Sequence, residues 1–250
     1  MLPDKDSCLI DPRKGRSEQP LPSAALLVFS PEDLRAFLNV FSEPAPRSHK
    51  FYLSEVFTGT YNQTRIAVAG PMLGAPQTIL VLEKMIALGA KRIVAAGWCG
   101  SLQKHVRIGD IVLPSAAISE EGTSRHYPAE APGPSPDLFR SLAHSLTASG
   151  LTVHEGPVWT TDAPFRETFA KVTKFQAEGV LGVEMETSAL FAVSSFRNVD
   201  LAVVLVVSDD LSGMKWVHGF KDPVFKESRE KVVRSALEAL CSASDGLTHS

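Results

Sequence analysis

Seven consecutive apolar residues, Leu201-Ala202-Val203-Val204-Leu205-Val206-Val207, most narrow the folds open to this chain. The run is far short of the 18 or so residues of a bilayer-crossing helix. It is rich in Val and shows no alternation, so it reads as a strand covered on both faces. Ala24–Phe29, Arg65–Ala69 and Arg92–Ala96 are shorter runs of the same kind. Asp110–Leu113, Thr152–Trp159 and Gly179–Val183 are further strand candidates. Helix-length segments lie between them. One opens at Ser30-Pro31-Glu32-Asp33, where Ser30 suits the N-cap and Pro31 the first helical position. Ala75–Leu88 is stopped by Gly89. The others end near Gly150 or cover Pro164–Ala177, Met185–Phe196 and about Pro223–Cys241. Glu43–His49 reads as a Pro-containing loop. Strands alternating with helices indicate a single α/β domain, residues 23–250, with a central mixed, mostly parallel sheet flanked by helices. Residues 1–22 are polar and Pro-rich and read as an extended arm, suited to packing on a neighbour.

Several classes are disfavoured. The formal charge is −3, which argues against a nucleic-acid binder with its basic face. No segment suits a membrane span, and Met1–Arg16 lacks the apolar stretch of a signal peptide. The three cysteines, Cys8, Cys99 and Cys241, are scattered and odd in number, as reduced thiols of a cytoplasmic protein would be. The Cys and His residues show no metal-binding spacing, so no metal is expected. His105 and His218 read as surface or loop residues, Arg125 as a solvated charge, and Cys99 as a small buried residue.

In open parallel sheets, ligands bind beyond the C-terminal ends of the strands. Three constellations sit there. Val183-Glu184-Met185-Glu186 joins a strand to a helix. A carboxylate in that place can simply favour the helix dipole, or it can accept hydrogen bonds from the two hydroxyls of a vicinal diol. Ser208-Asp209-Asp210 follows the longest apolar run. It can cap a turn, or Asp209 can keep a proton in a partly dry cleft and serve as a general acid. Gly97-Trp98-Cys99-Gly100 can be a tight turn for steric reasons alone, or can aim backbone N–H groups at an anion. Trp216 lies in the loop Ser212–Gly219 and Phe220 just after it, and the two can form a lid over a site or pack under that loop.

These segments occur in an order that resembles the nucleoside phosphorylase family, which includes purine nucleoside phosphorylases, uridine phosphorylases and methylthioadenosine nucleosidases. The resemblance is carried by Gly70-Pro71-Met72-Leu73-Gly74-Ala75-Pro76, Leu88-Gly89-Ala90 through Gly100-Ser101-Leu102-Gln103, and Val106–Val112. It continues in Glu121-Gly122-Thr123-Ser124, Thr161-Asp162-Ala163-Pro164-Phe165, Gly182–Leu190 and Val207-Ser208-Asp209. It implies cleavage of a nucleoside N-glycosidic bond without a resident cofactor, in a homo-oligomer that is dimer-based or hexameric. Glu186 matches the glutamate that holds the ribose hydroxyls, with Glu184 and Met185 beside it, and Phe165 matches the residue that stacks on the base. Asp209, with Ser208, matches the acid acting at purine N7, which favours a purine. The resemblance also places Gly97 and Trp98 beside the substrate.

The phosphate site departs from the family pattern. Ser30 stands where a glycine belongs and Leu34 where an arginine belongs, with Arg35 one residue away. Ala95 and Trp98 replace an arginine and a threonine, and Lys50 replaces an arginine that crosses from a neighbouring subunit. Ser30, Arg35 and Lys50 are therefore the candidates for an atypical phosphate site, with Arg125, His126 and His49 nearby in the sequence pattern. Phosphate as co-substrate is the leading expectation. Water as nucleophile is the second, with Trp98 filling the anion pocket. Nucleoside binding without catalysis is the third.

Overall fold

The structure, a computed structural model, describes residues 8–242. Its strands are β1 (Ala24–Val28), β2 (Arg47–Phe51), β3 (Ser54–Tyr61), β4 (Thr64–Gly70), β5 (Arg92–Ser101), β6 (Ile111–Glu120), β7 (Val153–Thr161), β8 (Gly182–Glu184), β9 (Asp200–Asp210) and β10 (Val217–His218). Its helices are α1 (Pro31–Leu38), α2 (Gly74–Ala87), α3 (Pro136–Ala148), α4 (Phe169–Ala177), α5 (Thr187–Arg197) and α6 (Pro223–Cys241). The strand order is β10-β9-β6-β7-β8-β5-β1-β4-β3-β2, and β5 also pairs with β9. That extra pairing closes β5, β8, β7, β6 and β9 on themselves. The centre is parallel, through β4–β1–β5–β9, while β2, β3, β8–β5 and β6–β9 pair antiparallel. The sheet is thus mixed.

The apolar runs become central strands because both sheet faces are covered. Every residue of β1 is buried, as are Leu201 to Val207. One face packs α2 and α5 through Val81, Leu82, Met85, Leu190 and Phe191. The other packs α1, α3 and α6 through Phe37, Leu142, Leu146, Phe225 and Leu237. Ser30 caps α1, its hydroxyl accepting from the Asp33 N–H at 3.0 Å.

Three differences from the sequence reading matter. Part of the expected loop Glu43–His49 is strand β2, which forms a polar edge hairpin with β3. Gly97–Gly100 is no turn but the continuation of β5, held by β8 and β9 on either side. The expected helix from Pro164 is a 3-10 turn at Pro164–Arg166 followed by α4, whose N-cap is Thr168. In the arm, residues 8–22 carry neither helix nor strand and lie along their own chain. The Lys84 ammonium of α2 bonds the Arg13 carbonyl at 2.6 Å and the Glu18 carboxylate at 2.7 Å.

Candidate active site

The site forms where β5 is flanked by two strands at one residue. Gly100 pairs with Val183 of β8 on one side and with Asp209 of β9 on the other. A Cβ at Gly100 would come 2.6 Å from Leu211 Cδ1 and 3.0 Å from Asp209 Oδ2, so the missing side chain makes room for the acid oxygen. The β5–β9 register shifts between Cys99 and Gly100, an irregularity of the kind that re-aims a strand-end side chain.

Two carboxylates meet at the β8–α5 corner, with different work. Glu184 is fully enclosed. Its Oε2 accepts from the N–H groups of Glu186 and Thr187, each at 2.7 Å, and its Oε1 accepts from the Thr160 hydroxyl. It thereby caps α5, and both of its oxygens are used inside the protein rather than left for a ligand. Glu186 occupies the N-cap position but makes no side-chain cap bond. Its Oε1 instead accepts from the Gly74 N–H at 2.6 Å. Gly74 has φ +77°, a left-handed conformation that glycine adopts without strain. The Met185 methyl lies against Gly74. Glu186 is only 8% exposed, and burial with the nearby Glu184 charge pushes its carboxyl up to about 8, against the opposing amides of Gly74 and Met185. Burial likewise raises Glu184.

Asp209 ends β9 half-buried. Its Oδ1 accepts from the Ser208 hydroxyl at 2.6 Å, and its Oδ2 accepts from the Trp216 indole N–H at 2.9 Å. Glu167 follows the 3-10 turn and feels the same region, since burial and then the Asp209 charge push it up to about 7. Cys99 is buried, and burial with the charges of Asp209 and Glu184 drives its thiol well above the usual range, which leaves no thiolate nucleophile.

The remaining expected residues are less gathered. Phe165 is 100% exposed and touches no part of this site. Gly97 is packed on Phe29, whose ring a Cβ would meet at 2.7 Å. Ser30 and Trp98 do converge, but on the chain's own Asp33. The Ser30 hydroxyl and the Trp98 indole N–H each donate to Asp33 Oδ2 at 2.8 Å, and Arg229 of α6 reaches Asp33 Oδ1 at 2.6 Å. The Arg229 guanidinium also stacks over the Trp98 ring at 4.6 Å. Arg35 points to solvent and pairs with Glu32. Lys50 is exposed and lines an open groove of about 1110 Å³ with Tyr52, Leu80 and His126. Among the described residues, no three His, Cys, Asp or Glu side chains gather as metal ligands.

Sequence reasoning gave no role to Asp33, Arg229 or Glu167. Asp33 falls in the first turn of the helix expected from Ser30, and Arg229 within the helix expected over Pro223–Cys241, positions that carry no site signal of their own. Glu167 sits two residues beyond Phe165, where a carboxylate in a short turn carries no pattern of its own.

This arrangement combines a buried carboxylate, Glu186, with Met185 beside it and a half-buried carboxylate, Asp209, near the end of β9. The phosphorylase superfamily model matches residues 23–243. The chain belongs to the phosphorylase superfamily. It is an enzyme of the nucleoside phosphorylase, pentosyltransferase type. It is 32% identical to a DeoD-type purine nucleoside phosphorylase of Bacillus cereus, over 73% of this chain and 80% of that protein. The fold is shared with uridine phosphorylase from Vibrio fischeri, at TM-score 0.82 and 23% identity over 92% of this chain and 99% of that one. It is shared equally with purine nucleoside phosphorylase from Toxoplasma gondii, solved with immucillin-H. There the TM-score is 0.82 at 20% identity, covering 92% and 97%.

Proposed function

We propose that this enzyme cleaves the N-glycosidic bond of a purine nucleoside. The observation that carries the reading is the placement of Asp209 and the β8–Glu186 corner on opposite sides of Gly100, with one Glu186 oxygen already oriented by Gly74. Glu186 would accept the ribose hydroxyls and, when ionised, stabilise the positive charge that grows on the sugar. Asp209 would deliver a proton to N7 as the C1′–N9 bond breaks and its electron pair leaves with the base. Protonation of a leaving group in this way contributes roughly 10²–10⁴-fold. Met185 walls the sugar. In the leading reading a phosphate oxygen then attacks C1′ and gives ribose 1-phosphate.

One observation favours a second reading. Ser30, Trp98 and Arg229 are donors that an anion would want, and the Asp33 carboxylate holds all three. An internal carboxylate repels a phosphate dianion at this place, which favours water as the nucleophile and free ribose as product. The two readings separate in one experiment. Base release is followed from inosine, adenosine, guanosine, methylthioadenosine and uridine, with and without phosphate. Purine release that requires phosphate and forms ribose 1-phosphate supports the first reading, and equal release without phosphate supports the second. No release from any of the five overturns the proposed function. A homo-oligomer fits the exposed Tyr52, Leu80 and Phe196 along the groove that Lys50 lines, and light scattering would test it.

A further inference from the structure

Both oxygens of Asp209 already hold partners. The Trp216 N–H occupies Oδ2, and Trp216 comes from a short exposed segment that follows β9. Two buried points anchor that segment. At one end, the Ser212 N–H bonds Asp210 Oδ1 at 2.6 Å and the Ser212 carbonyl accepts from Gln176 at 3.0 Å. At the other, the Gly219 N–H bonds the Ser208 carbonyl at 2.8 Å, and a Cβ on Gly219 would lie 2.4 Å from Ile108. All six residues between the anchors, 213–218, are exposed, and Trp216 itself is 62% exposed. Apart from an edge contact with the His218 ring the indole makes little packing, and the next two residues, Val217 and His218, pair as β10 with Asp210 and Asp209, so releasing the indole from Asp209 needs only a side-chain rotation while β10 keeps its pairing.

We propose that Trp216 is a positioning residue that a purine displaces, the base placing its N7 at the Asp209 oxygen which the indole N–H holds in this structure. The proposal rests on Asp209 being the acid of the proposed reaction. It fits the chemistry of the exchange. The indole is a donor and N7 is an acceptor, so Asp209 must take a proton from solvent as Trp216 leaves. That proton then passes to N7 when the C1′–N9 bond breaks. The released indole face covers the base. It supplies the aromatic contact that Phe165, fully exposed, does not make.

The test compares the wild type with W216F and W216A, using inosine as substrate and hypoxanthine as a bound base. The phenyl ring of W216F keeps an aromatic cover but offers no N–H competitor. KM for inosine should fall by roughly threefold or more, about the worth of one net hydrogen bond, while kcat changes little. W216A should raise KM, because the cover is lost. Wild-type tryptophan emission should change on adding hypoxanthine, and that change should vanish in W216F, which keeps Trp98 and Trp159. Unchanged KM in W216F, or an emission change that survives it, would overturn the role of Trp216 while leaving the proposed reaction in place. If the wild type releases no base from any of the five nucleosides, the proposed reaction fails, and the emission titration alone decides whether a purine displaces Trp216.

Discussion

A carboxyl group buried deeply enough to grip a sugar acquires a proton along with its burial. Glu186 shows the conflict, since it is raised to about 8 by burial and by Glu184, yet a diol presents two hydroxyl donors that an ionised carboxylate accepts best. The ionised form is therefore the productive one, and kcat/KM should climb as pH rises toward about 8. In Glu186→Gln that climb should disappear, and kcat/KM should fall on the order of 10²-fold, as expected for two hydrogen bonds to a charged group. A pH profile that keeps its rise in Glu186→Gln would assign the limb to another group. Asp209→Asn makes the complementary case. An amide can occupy the same space but cannot act as the acid, so kcat should drop roughly 10²–10⁴-fold with KM little changed. Single-turnover base release measures that split directly. Both carboxylates were legible in the sequence as acids placed just after apolar runs. Their partners were not. The Gly74 amide reaches Glu186 across 112 positions, and the Trp216 indole reaches Asp209 only because β10 folds back on β9.

Among the elements, the two ends of α5 and α1 depend on buried carboxylates with no solvent to replace a lost partner. Glu184→Ala strips the cap from the first turn of α5. It should cost about 1–3 kcal/mol in urea unfolding and raise KM as well, because Glu186 rides on that turn. Loss of stability with an unchanged KM would show that Glu186 is held from elsewhere. Asp33→Asn leaves Arg229 without its counter-charge at 17% side-chain exposure, a change expected to cost about 3–5 kcal/mol. The pair D33L/R229M should cost less than Asp33→Asn alone, since no charge is then stranded. The elements themselves differ in how plainly they could be read. β1, β5 and β9 declare themselves because strands covered on both faces are continuously apolar. The β2–β3 hairpin is a sheet edge, where Arg47, Ser48, Glu55 and Thr58 meet water and the apolar signal is lost. Gly97–Gly100 carried turn residues for a different reason. Gly97 admits Phe29 and Gly100 admits Asp209 within an unbroken strand.

Across the molecule, the carboxyls with displaced values form two sets with opposite pH linkage. Glu121 is lowered despite its burial, because bonds from Ser124, Thr123 and Ser119 outweigh that burial, and Glu18 is lowered by Lys84 and the Gly15 amide. Groups with depressed values supply stability above their unfolded value, near 4.5, and lose it as pH falls through the folded value. Glu167 and Glu186 are raised, to about 7 and about 8. Their contribution is complete below the unfolded value and is lost as pH rises through the folded one. The sum is a stability curve that peaks on the mildly acidic side and declines toward pH 8, each raised carboxyl adding at most about 1.4 kcal/mol per pH unit to the slope. Urea unfolding at pH 5, 6, 7 and 8 should show this decline. Glu186→Gln, which cannot ionise, should flatten it, whereas Glu121→Gln should leave the slope from 6 to 8 intact and lower stability throughout that range. Equal slopes in wild type and Glu186→Gln would mean that the raised carboxyl at the centre of the site does not set the pH response of the fold. A flattened slope would tie the same proton to both stability and the proposed catalysis, because the ionisation that would ready Glu186 for a sugar is also the one that costs the fold its stability.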